Sequence, residues 1–235
     1  MADRQPRDGG LHRCNSAHGS NRRGLFEPVP EGGDWRGNAM IGGPWEDDAT
    51  LAAGFLEAAD ILVEHWCARP TDTLVVPIFL NYRHGIELAL KDAIRSGAKC
   101  LRRDQHNDPA IQRHVLEQRL MRTHSIGELA STLNGYLGCL RLGDDSRLDP
   151  DTQEALDSLH ALDANGQAFR YSTVKTGSGK NTKIVPARPD LQHVNLPATA
   201  QALHDAGTLV LQGVSTQLYV YEEYQQEMAE QAEVW

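Results

Sequence analysis

Apolar residues recur at intervals of three and four over most of the chain, the spacing of one helix face. Leu51, Phe55, Ala58, Ala59, Leu62 and Trp66 form the first stripe. A cap among Asp48, Ala49 and Thr50 opens it, and Arg69 with Pro70 closes it. A second helix starts from Thr71 or Asp72 and takes Pro77 in its first turns, where a missing N–H does least harm. It runs to about Ser96, and Gly97 stops it. Its apolar face is Ile78, Phe79, Tyr82, Ile86, Ala89, Leu90 and Ala93. The 102–109 stretch reads as a loop, and 110–121 as a short helix with Ile111, Val115 and Leu116 inward. Ser125 and Glu128 have the spacing of a capping box, in which each side chain satisfies the other's backbone N–H. The helix they open carries Ile126, Leu129, Leu133, Tyr136, Leu137 and Leu140 on one side, and 143–145 break it. Asp149 and Pro150 start another, with Leu156, Leu159 and Leu162 inward.

The pattern changes over 165–197. Residues 169–174 and 183–185 are β-branched or aromatic, and the turn-rich 176–181 lies between them, predicting a short hairpin or flap. Pro186, Pro189 and Pro197 keep the next stretch extended. Asn195 caps a long last helix over about 196–230, with Leu203, Ala206, Val210, Val214, Leu218 and Tyr221 as a near-heptad stripe. Gly207 and Gly213 weaken its continuity. The sum is an all-α, up-and-down helical bundle with a small β-hairpin or flap insertion.

Residues 1–48 differ from the rest. They hold nine of the 21 glycines, four of the 11 prolines and six arginines without a lysine. Such a segment buries too little apolar surface to offset its ordering entropy, so 1–48 reads as a flexible tail, disordered over 1–25, and 49–231 as the helical domain. Phe26, Trp35, Met40, Ile41 and Trp45 suit a stretch laid over that domain.

Charge narrows the function classes. The net charge is −9, which weakens a role in coating nucleic acid. Cys14, Cys67, Cys100 and Cys139 are scattered singly, against a disulfide framework or a CxxC motif. The longest apolar run, 74–80, is far short of a membrane span, and the start lacks a signal-peptide pattern. The expectation is a cytoplasmic protein.

The 177–182 stretch has Gly179 and Lys180, but Val174 stands where a phosphate loop needs its first glycine, and Asn181 where it needs a hydroxyl. It reads as a hairpin turn. The ten histidines contain no HxxxH, HExxH or ExxH pair, so no metal and no cofactor is implied, and there is no GxSxG elbow.

Within 81–91, Arg83, Glu87 and Lys91 are successive i, i+4 neighbours at the edge of the apolar stripe. They form either an ion-pair ladder or a site. In a site, His84, pushed toward the neutral imidazole by adjacent Arg83, takes a proton from a hydroxyl while Arg83 holds a phosphate. Arg119 and His124 precede the Ser125 cap, with His124 at the positive end of the helix dipole. Phe169 and Tyr171 share one face of the predicted strand and close the bundle, leaving Arg170 free to reach an acid or a phosphate.

Tyr82-Arg83-His84 through Glu87-Leu88 and Leu90-Lys91, the start at His124-Ser125 to Leu129, and Phe169-Arg170-Tyr171 together resemble the HEPN superfamily. The likeness is to bacterial HEPN-like proteins with an RHxxELxLK helix, and it covers about 73–225. It implies an all-α bundle that dimerises. Many members are metal-independent ribonucleases of toxin–antitoxin, phage-defence or RNA-processing systems. Their Arg and His, four to six residues apart, face each other across a dimer cleft, where a 2′-hydroxyl attacks the adjacent phosphate. Here Arg119 and His124 have four residues between them, while Arg83 and His84 are adjacent. Others act as non-catalytic modules beside a nucleotidyltransferase or another effector. The resemblance thus implies catalytic Arg83, His84, Arg119 and His124, with Glu87, Lys91, Arg170 and Tyr171 in binding. It implies RNA, a second copy, or a partner protein such as a nucleotidyltransferase or antitoxin. The non-catalytic regulatory reading leads, with the ribonuclease as alternative.

Overall fold

The computed structural model describes residues 28–142 and 146–233. The chain divides into two units, Met1–Gly42 and Gly43–Trp235. The expected disorder over 1–25 and the expected break at 143–145 lie outside the described residues. In the first unit, a 3-10 turn at Trp35–Gly37 is capped by Asp34, and Val29 N–H donates to Asn38 Oδ1 at 2.6 Å. Trp35, Met40 and Ile41 are exposed.

The second unit is an all-α bundle with one two-stranded hairpin. Its helices are α1 (Asp48–Ala68), α2 (Val75–Arg103), α3 (Arg113–Arg122), α4 (Ile126–Leu140), α5 (Pro150–Leu162), α6 (Leu196–Thr208) and α7 (Ser215–Glu233). A π turn, Leu209–Val214, joins α6 to α7 without a break. The hairpin pairs β1 (Thr173–Thr176) antiparallel with β2 (Lys183–Pro186), Val174 opposite Val185. Helix α2 is central and packs on α1, α4, α6 and α7. Its buried face runs from Ile78 and Phe79 through Tyr82, Ile86 and Leu90 to Ile94 and Leu101. No described helix is long and apolar enough to cross a membrane.

Four helix starts follow from local chemistry, whereas α2 begins at Val75 without the expected side-chain cap from Thr71 or Asp72. Asp47 accepts the Thr50 N–H at 2.8 Å, Ser125 that of Glu128 at 3.2 Å, Asp149 that of Thr152 at 3.0 Å, and Asn195 that of Ala198 at 3.5 Å. The last helix buries Leu203, Ala206, Val210, Val214 and Leu218, the stripe read from its spacing.

Four expectations need correction. Gly97 does not stop α2. It lies inside the helix against Tyr136, and α2 continues through Arg102 and Arg103. Val115 is exposed, and Leu120 joins Leu116 in the core instead. Leu162, at the end of α5, is 36% exposed rather than inward. Residues 168–170 form a turn, and the strand begins only at Thr173. Phe169 therefore packs in the core, stacked on Phe79 at 5.6 Å, while Tyr171 faces solvent and closes nothing.

Candidate functional site

The i, i+4 series on α2 becomes a buried charge network. Arg83 and Glu87 are each 1% exposed and Lys91 7%. Glu87 Oε2 accepts from Arg83 Nη1 at 2.8 Å, and Glu87 Oε1 accepts from Lys91 Nζ at 2.8 Å. A second acid completes the set. Asp163, 1% exposed and directly after α5, places Oδ2 at 3.0 Å from Arg83 Nε. This contact has ion-pair distance without hydrogen-bond alignment. Asp163 Oδ1 accepts the Ala168 N–H at 2.9 Å, which fixes the carboxylate in the turn after α5. Two cations and two anions thus neutralise one another out of water. That is the arrangement in which buried charge is tolerated.

The turn and the helix start supply the remaining contacts. Arg83 Nη2 donates to the His124 carbonyl, tying α2 to the entrance of α4. Gly166 has φ +77°, and an added Cβ would lie 3.0 Å from Arg83 Nη2. Glycine is needed there both for the left-handed backbone and for the approach to the guanidinium.

His124 is the exposed member. Its side chain is 45% accessible, and Nδ1 lies 2.9 Å from Glu87 Oε1. An ionised carboxylate only accepts, so Nδ1 carries a proton, and in the neutral imidazole Nε2 then keeps its lone pair. Burial opposes the charge on Glu87, but hydrogen bonds from Lys91, His124 and Arg83, together with the Lys91 charge, outweigh it, holding the carboxyl down at about 2. Glu87 is therefore an anchor for cations and no proton acceptor at neutral pH.

His84 lies outside this network. Its ring meets Phe55 of α1 edge-on at 4.4 Å, and its Nδ1 is buried without a partner. Its pKa falls chiefly through burial, with Arg170, Lys91 and Arg83 adding to the fall and Glu87 opposing it. The neutral imidazole read from the sequence agrees in direction, but burial rather than adjacent Arg83 is the main cause. Arg119 donates to Tyr136 Oη at 3.4 Å, and no hydrogen bond or ion pair joins it to the network. Arg170 and Tyr171 are exposed in the turn before β1. Of the eight candidates, Arg83, Glu87, Lys91 and His124 come together, and His84, Arg119, Arg170 and Tyr171 do not join them.

Sequence reasoning missed Asp163. The available signal was an acid at a helix C-terminus, where the dipole disfavours negative charge and some other partner must compensate. It also missed a second carboxylate–imidazole pair. Asp60 of α1 accepts from Tyr82 Oη at 2.6 Å and from His204 Nδ1 of α6 at 2.9 Å, linking three helices. Burial and the neighbouring Asp60 push the Tyr82 hydroxyl pKa upward. An apolar cavity of about 430 Å³ lies between α5 and α6 over Phe79, Leu159 and Leu203, and none of the network residues lines it.

Among the described residues, no group of three or more His, Cys, Asp and Glu side chains is arranged to hold a metal ion. No family model, curated protein or solved structure matches the chain.

Proposed function

We propose that this chain is a non-catalytic, HEPN-like binding or regulatory module of the cytoplasm, serving a bacterial defence or toxin–antitoxin type system through a partner protein. One observation carries this reading. The Arg83 guanidinium, 1% exposed, is occupied by Glu87, Asp163 and the His124 carbonyl. A guanidinium so engaged reaches no phosphate, and the arginine of the RHxxELxLK helix serves instead as the electrostatic centre of the bundle.

The second reading, a metal-independent ribonuclease, rests on His124. Its Nδ1–H points at Glu87, so in the neutral imidazole Nε2 is an acceptor at an accessible side chain. In that chemistry Nε2 takes the proton of a 2′-hydroxyl, the 2′-oxygen bonds to phosphorus, and the 5′-oxygen leaves. Arg119 and a second copy would supply the positive charge.

RNA cleavage by the purified chain in EDTA separates the two. We expect no cleavage from the wild type or from His124→Ala, with both folded by circular dichroism. EDTA-resistant cleavage lost in His124→Ala would establish the ribonuclease instead.

A further inference from the structure

The last helix carries a face that the bundle does not use. Contacts of α7 with the rest of the bundle come from Gln217, which donates to the Leu142 carbonyl at 2.7 Å, and from Leu218, Tyr221, Glu222 and Gln225. Leu218 is 1% exposed, and Tyr221 Oη donates to Asp104 at 3.0 Å. Glu222 pairs with Lys99 and with Arg103, and Gln225 Nε2 donates to the Cys100 carbonyl at 2.9 Å. Residues 226–232 are exposed on every side of the helix. At about 1.5 Å per residue, roughly two turns of α7 extend past its last contact with α2.

On the outer side, Val220, Tyr224 and Met228 follow at i, i+4 and i+8, exposed by 58%, 55% and 47%. At about 100° per residue they make one stripe, and Glu223, Glu227 and Glu230 make an adjoining acidic ridge. No Lys, Arg or His lies within ion-pair distance of those three glutamates among the described residues. The whole of Ser215–Glu233 has five glutamates and no lysine or arginine.

We infer that the outer face of α7 docks a basic amphipathic helix of a partner protein, pairing apolar stripe to stripe and partner Lys or Arg to the acidic ridge. The chemistry selects this occupant. RNA and anionic lipid meet repulsion from the ridge, and a second copy of α7 would bring like glutamates together. A helix with Leu-type anchors beside lysines meets both features. This inference rests on the binding-module reading and names its partner.

The test uses the full chain and a fluorescein-labelled Leu/Lys amphipathic peptide of about 18 residues, long enough to form a helix on contact. Saturable binding is expected, weakened about tenfold or more by Tyr224→Ala with Met228→Ala, and comparably by Glu223→Gln, Glu227→Gln and Glu230→Gln together. Asp151→Asn, Glu154→Gln and Asp157→Asn on α5 remove the same charge elsewhere and are expected to leave binding unchanged. Absence of binding overturns the proposal, as does an equal loss in the α5 control. Sedimentation showing self-association abolished by Tyr224→Ala with Met228→Ala would give the face to a second copy and overturn it too. The RNA assay bears on the non-catalytic reading alone and the peptide titration on α7 alone, so the two can fail separately.

Discussion

Glu87 holds two buried cations and one imidazole with two oxygens, so its charge matters more than its volume. Glu87→Gln keeps the shape and removes that charge. Arg83 and Lys91 are then left buried with Asp163 as the remaining anion, and breaking a buried pair in this way costs about 3–5 kcal/mol. Urea unfolding at neutral pH measures it. The pH dependence has a definite sign. The folded carboxyl is held at about 2 against an ordinary 4.5, so the wild type carries the stabilisation above 4.5 and loses it as pH falls toward 2. The lost amount is roughly 3 kcal/mol. Stability of Glu87→Gln measured over the same interval is expected to fall less steeply. An unchanged slope would mean that Glu87 is not the group responsible.

At the scale of elements, close approach between α1 and α2 depends on Gly85. An added Cβ there would lie 3.0 Å from Leu56 Cγ and 3.1 Å from the Ala52 carbonyl oxygen. The carbonyl belongs to a helix and cannot move aside, so Gly85→Ala is expected to cost about 1–3 kcal/mol by overpacking, read as a lower thermal midpoint. The elements themselves were largely legible in the sequence, for physical reasons that differ from one to the next. Ser125, Asp149 and Asn195 act on N–H groups three residues away, so their caps are visible in the local order. The stripe from Leu203 to Leu218 is likewise a property of one helix. Gly97 misled because a glycine that ends a helix and one that admits a neighbouring tyrosine look alike until Tyr136 is in place. The strand begins later than its residue types predict because Phe169 is aromatic for the sake of its stack on Phe79, not for pairing. At the site, the i, i+4 run of Arg83, Glu87 and Lys91 could be read directly. The closing contacts from Asp163 and His124 come from the turns beside other helices, and only the fold brings them there.

For the whole molecule, charge is sorted by depth. The interior set of Arg83, Lys91, Glu87 and Asp163 is balanced, while the acidic excess behind the net charge of −9 lies outside it and is dense on α7. Phase along the last helix is sorted as well. Its inward residues run Leu203, Ala206, Val210, Val214, Leu218 and Tyr221, so three steps of four follow one another, the middle one across the π turn. On an α-helix each step of four drifts about 40° around the axis. The wider π turn absorbs that drift, much as an irregular step interrupts a heptad. The chain therefore stores one spare residue between Val210 and Val214. Deleting Gly213 would leave steps of three and four in strict alternation, with every inward residue still inward. Such a shortened chain is expected to melt no lower than the wild type, and higher if loss of the helical glycine adds its roughly 1 kcal/mol. Deleting the exposed Ala202 instead shifts the helix start against its own core face, and a marked fall in melting temperature is expected. The long helix thus tolerates a change of length at one place, and that place can be told from all others by counting.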